Sequence, residues 1–103
     1  MFRGRAERRL AGLFAACWLA ACATAPPVQE MSDARQAVAA AEQANAEQLA
    51  PEPLSEARRY LNEAESQIRE QAYGAARVSA VRAKNRAVQA LEASQRAVEA
   101  EEQ

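Results

Sequence analysis

Tyr73, Ala76, Ala80, Ala83, Ala87, Ala90 and Ser94 recur at alternating steps of three and four. That spacing draws one stripe along an α-helix. The stripe is almost all methyl groups, so it cannot fill a wide core. It suits close approach by a neighbouring helix, because interaxial distance follows the size of the contacting side chains. Leu54, Ala57, Leu61, Ala64 and Ile68 form a second stripe of the same period, and Val81, Val88, Leu91 and Val98 run beside the first. Beyond residue 30 the chain is mostly alanine, glutamate, glutamine and arginine, with Gly74 its only glycine. Most of these residues favour helix. The β-branched residues are scattered, and nothing reads as a strand or hairpin. The expected fold class is all-α.

Prolines divide the helical region. In "QLAPEPLSEAR" a helix must end near Leu49, since proline inside a helix removes a hydrogen bond and clashes with the preceding turn. Proline is tolerated in a first turn, so a second helix starts between Pro51 and Leu54. "EQAYG", Glu70 to Gly74, signals a further turn, although one helix from Leu54 to Glu99 is also compatible with the residues. The spacing predicts helices at about 32–49, 53–70 and 74–100. Ser32 is placed to cap the first, with Asp33 in its first turn. The architecture is an antiparallel helical hairpin or a three-helix domain over residues 31–103. "ARQAVAAA", "ARRYLNEA" and "ARVSAVRA" make a weak internal repeat, of the kind any alanine-rich amphipathic helix produces.

The N-terminus has a different composition. Arg3, Arg5, Arg8 and Arg9 precede an uncharged run from Leu10 to Cys22. The run is short of the roughly 20 apolar residues that span a bilayer. A basic head, a short apolar run and small residues make the pattern of a secretory signal peptide. Leu19-Ala20-Ala21-Cys22 resembles the lipobox of bacterial lipoproteins. The resemblance implies cleavage between Ala21 and Cys22, removal of Cys17 with the signal (residues 1–21), and a covalent lipid on the Cys22 sulfur. Ala23, rather than aspartate, after the cysteine implies sorting to the outer membrane, facing the periplasm. Residues 22–30 are expected to form a lipidated, proline-containing extended tether.

The stretch from "ARQAVAAAEQ" through "QLAPEPLSEARRYLNEAESQIREQAYGAARVSAVRAKNRA" resembles the domain of unknown function 4398 family. Members are alanine-rich domains of bacterial envelope lipoproteins, with a "YAPE" connector and a "GDY" turn between helices. Here the connector reads Leu49-Ala50-Pro51-Glu52. The turn reads Gln71-Ala72-Tyr73, lacking the glycine and the aspartate. The turn is also similar to that of a tetratricopeptide hairpin, in which Tyr73 would pack on Ala64, Ala76 and Ala80. A tetratricopeptide array needs about three repeats, more than this chain can hold. Some family members carry an OmpA-like peptidoglycan-binding domain, and nothing here resembles one.

The residue types for catalysis are missing. There is no histidine, hence no imidazole base or ligand, and no glycine-rich phosphate loop. No enzyme activity, metal, cofactor beyond the lipid, or small-molecule substrate is expected. Glu65 with Arg69 and Glu92 with Arg96 have the spacing of intrahelical ion pairs. The whole chain carries 13 cations against 14 anions. Without the signal the balance is nine against thirteen, which disfavours nucleic acid as a partner. Arg77, Arg82, Lys84 and Arg86 form a local exception. They suit an anionic partner such as lipopolysaccharide phosphate or an acidic protein, and equally a solvated helix face.

Large apolar side chains are few after residue 30, so the core is thin. A marginal monomer, stabilised by self-association or by a partner helix, is the expectation. The functional reading is a membrane-anchored adaptor or structural module of the envelope, with Tyr60, Leu61, Tyr73 and Val81 as candidate interface residues, each equally explained as core. Alternatives are a self-associating spacer like the murein lipoprotein, without that protein's C-terminal lysine, and an accessory subunit of a transport or secretion assembly.

Overall fold

The computed structural model describes residues 25–103, which form four helices: α1 (Val28–Gln43), α2 (Ala46–Leu49), α3 (Pro51–Arg69) and α4 (Tyr73–Glu102). The signal segment, Ala21 and Cys22 lie outside the described residues. The expected all-α class holds, with no strand among the described residues. At 1.5 Å per residue the 30 residues of α4 extend about 45 Å. This helix is the spine. Both α3 and α1 pack extensively along it and touch each other much less.

Cross-helix ion pairs fix the directions. Arg86 of α4 meets Glu56 of α3 at 3.0 Å, and Arg77 of α4 meets Glu30 of α1 at 3.3 Å. Arg35 of α1 meets Glu65 of α3 at 3.5 Å, and Arg58 of α3 meets Glu42 of α1 at 3.6 Å. Thus α3 runs antiparallel to α4, and α1 runs parallel to α4. One end of the bundle holds the start of α1, the α3–α4 turn and the start of α4. The other holds α2 and the last turns of α4.

The alanine stripe of α4 is the contact line. Ala76, Ala80, Ala83, Ala87, Ala90 and Ser94 are all fully buried. Proline aside, fourteen apolar residues are buried among the described residues; eleven are alanine, and the others are Met31, Val38 and Leu54. All but Ala76 fall into two clusters. One joins Val38, Ala41, Ala46, Ala50, Leu54 and Ala57 to Ala87 and Ala90. The other joins Met31, Ala34 and Ala64 to Ala80 and Ala83. Leu61 packs against both. The buried hydroxyls are satisfied: Ser79 donates to Gln67 Oε1 at 2.7 Å, and Ser94 to the Ala90 carbonyl at 2.8 Å.

Several local expectations are corrected. The first helix begins at Val28 rather than near Ser32, so Val28–Glu30 is helix and the extended tether is shorter than residues 22–30. The buried Pro27 takes the capping position, its carbonyl accepting from the Met31 amide at 3.0 Å. Ser32 lies inside the helix and accepts from Gln36. The first helix also breaks before Leu49. Asn45 takes the left-handed conformation (φ 62°), which asparagine tolerates better than most residues. Its carbonyl then starts α2 by accepting from the Leu49 amide. Pro51 sits at the start of α3, as the sequence required.

The α3–α4 turn is real, but Gly74 does not make it. Gly74 is in the first turn of α4, without positive φ. Gln71 is the left-handed residue (φ 62°), with the Ala72 amide donating to the Gln67 carbonyl and the Gln71 amide to the Ile68 carbonyl. This hydrogen-bond pair is a Schellman motif, whose left-handed position usually holds glycine. Gln71 is thus the first of the three residues, Gln71-Ala72-Tyr73, that the sequence comparison set against "GDY", and it takes the left-handed conformation itself. The predicted intrahelical pairs are replaced as well. Glu65 reaches Arg35, Arg69 donates to Ser66, and Glu92 and Arg96 make no ion pair. Holding α1 to α3 competes successfully for the Glu65 carboxylate.

Candidate interaction surface

The four candidate interface residues do not form one patch. Leu61 is half-buried between the two core clusters, so its role is packing. Tyr73 is the first residue of α4, half-buried and in neither core cluster. Val81 is 43% exposed, on the face of α4 turned away from the alanine stripe. Tyr60 is half-buried beside the Met31 cluster, with its ring edging the α3–α4 seam.

Tyr60 anchors an open recess that sequence reasoning did not find. The recess is lined by Tyr60 of α3 and by Arg82, Asn85, Arg86 and Gln89 of α4. The Arg59 guanidinium stands 4.5 Å from the centre of the Tyr60 ring, and that of Arg82 stands 6.0 Å away. A guanidinium over an aromatic face is attracted by the ring quadrupole, so Arg82 is partly fixed without an acidic partner. Arg86 is held by Glu56 and donates to Gln89 at 3.0 Å.

The four cations of α4 therefore divide. Arg77 and Arg86 belong to ion pairs that bind α1 and α3 to the spine. Arg82 and Lys84 are exposed and, among the described residues, have no carboxylate within ion-pair distance. Between them along the outer side of α4 lie Val78, 49% exposed, and Val81. The signal for this surface was in the sequence: both valines fall off the alanine stripe, on the far side of the helix.

The described residues contain no group of three or more side chains suited to holding a metal ion. None of their helices is long and apolar enough to cross a membrane. What the surface offers is hydrogen-bond donors, two unneutralised cations and apolar side chains on a rigid helix, a chemistry of binding.

No curated protein and no solved structure matches the chain. A family model described as "Domain of unknown function (DUF4398)" matches residues 29–103, which run from the first turn of α1 through the whole of α4. The helices and the surface described above are thus those of a DUF4398 domain, and the chain belongs to that family.

Proposed function

We propose that the protein is a bacterial lipoprotein, anchored through Cys22 in the outer membrane, whose helical body faces the periplasm as a non-enzymatic adaptor of the cell envelope. The observation that carries this reading is the spacing between the lipobox and the bundle. Helix α1 starts at Val28, six positions beyond Cys22. The intervening five residues span at most about 17 Å. A lipid on Cys22 would hold the bundle against the bilayer surface, and two or more acyl chains make such attachment stable.

The adaptor reading follows from the core. A rigid bundle with little apolar bulk presents helix faces and, at Tyr60, an open recess lined by polar side chains, which suit a protein partner. Side-by-side assembly of many copies, as in an envelope spacer, would bring together end regions rich in unpaired glutamates. Among the described residues Glu52, Glu92, Glu99, Glu101 and Glu102, toward the end of the bundle remote from the start of α1, have no cation within ion-pair distance, against Asp33 and Glu70 in the other half.

The test is chemical cross-linking in intact cells, followed by purification of the tagged protein from detergent-solubilised envelopes and mass spectrometry of its N-terminus. A diacylglyceryl Cys22 at the N-terminus and one distinct protein cross-linked to the helices are expected. A ladder of self-cross-links alone would replace the adaptor with the spacer. An unmodified Cys22 in the soluble fraction would remove the anchor and the location with it.

A further inference from the structure

Charge and exposed apolar surface are distributed unevenly along the bundle. The half near the start of α1 and the α3–α4 turn comprises residues 28–38 and 59–86, with seven cations against five anions. The remote half comprises residues 39–58 and 87–103, with two cations against eight anions. Among the described residues, the exposed large apolar side chains Val28, Val78 and Val81 lie in the first half and Val98 in the second. The Glu30–Arg77 contact puts the start of α1 beside the start of α4. The end that is basic and apolar is therefore the end where the chain leads back to Cys22.

We propose that the outer face of α4 around Val78, Val81, Arg82 and Lys84 docks on an anionic lipid surface, so that the bundle lies against the membrane with its acidic half tilted away. The proposal rests on the anchored reading above. The valines are flanked by Arg82 on one side and Lys84 on the other, the arrangement in which apolar side chains enter the headgroup region while cations meet lipid phosphates. Tyr60, beside Arg82, adds an aromatic side chain of the kind enriched at that depth. Basic residues near an anionic leaflet strengthen attachment to it. Arg82 and Lys84, with no ion-pair partner among the described residues, are available for this, whereas Arg77 and Arg86 pair with Glu30 and Glu56. The occupant follows from charge complementarity and from continuity with the short connection to Cys22. A protein partner on the same face would need neither.

The test places the lipidated protein in vesicles of phosphatidylcholine alone or of phosphatidylcholine with phosphatidylglycerol. A fluorophore is attached at Asn85→Cys or at Ala100→Cys, and a nitroxide on lipid headgroups is the quencher. Both positions are exposed, and Asn85 adjoins the proposed surface. Quenching at residue 85 well above that at residue 100 is expected in the anionic vesicles. The difference should vanish in neutral vesicles, at high salt, and with Arg82→Glu/Lys84→Glu. Equal quenching at the two positions, or a difference indifferent to charge, overturns the proposal.

Cys22→Ser, which abolishes the lipid, separates the two readings. In that background the chain with its cations intact should partition onto anionic vesicles at least about tenfold better than the charge-reversed chain. Equal partitioning overturns the docking surface while leaving the anchor standing. Loss of the protein from neutral vesicles when Cys22 is intact overturns the anchor, and the anionic comparison still decides the surface. Circular dichroism of the charge-reversed chain should be unchanged, since both residues are exposed and outside the ion pairs of the bundle.

Discussion

The Arg77 side chain donates to Glu30 at 3.3 Å across 47 positions of chain. This contact joins the first turn of α1 to the second turn of α4 and sets which end of the bundle holds the start of α1. Both side chains are about one-third exposed or more, so the pair fixes register more than it stabilises.

The Gln71 backbone is left-handed at φ 62°, a conformation that costs a residue with a Cβ about 1–2 kcal/mol. Gln71→Gly is expected to stabilise the protein by about 1 kcal/mol, after the entropy glycine loses on folding. Urea denaturation measures it. A loss of stability would mean that the Schellman geometry at this turn is wrong.

Ala72 occupies the capping position of α4 and has no side chain to accept a hydrogen bond. Ala72→Asp should add a cap worth about 0.5–2 kcal/mol and favour the helix dipole. Its effect should add to that of Gln71→Gly in the same denaturation series unless the turn rearranges.

Ala83 is fully buried where α4 meets Met31, Ala34 and Ala64. Ala83→Leu should destabilise by about 1–3 kcal/mol through overpacking, because there is no room between helices spaced by methyl groups. Val81→Ser, on the open face, should change stability by no more than about 0.5 kcal/mol. Thermal melts of the two variants would refute the assignment of faces if Val81→Ser were the more damaging.

Ser79 and Gln67 share the 2.7 Å hydrogen bond that crosses from α4 to α3. Ser79→Ala should cost about 1 kcal/mol, partly by leaving the Gln67 carbonyl oxygen without its donor. A double-mutant cycle with Gln67→Ala should recover a coupling of similar size. Zero coupling would show that the two helices are not registered as described.

The helical stripes were legible because methyl groups at steps of three and four admit one geometry. The stripe from Ala76 to Ser94 is buried residue for residue, and Pro51 starts α3 as its missing amide demands. The break at Asn45 was not read, because an asparagine within a helical run marks a stop only when its left-handed conformation is anticipated. The early start at Val28 was hidden by Pro26 and Pro27, whose composition suggests extension, whereas Pro27 caps α1 with its carbonyl and is buried. The partner of Glu65 was misread because in-helix spacing is visible in a sequence and the approach of Arg35 from another helix is not. The recess at Tyr60 depends on one ring of α3 meeting Arg82, Asn85, Arg86 and Gln89 of α4, which no single-helix period reveals.

The parallel alignment of α1 with α4 has a mechanical side. Were the bundle held by a partner at its remote end, tension applied to the chain ahead of α1 would pull on the start of α1 along the axis shared with the spine. The α1–α4 seam would then be loaded in shear. Its methyl contacts and the Arg77–Glu30 pair would resist together, instead of opening one after another as they would if α1 were peeled away sideways. A seam built from the smallest apolar side chains, weak at each point, is thereby placed in the direction in which its whole length bears load.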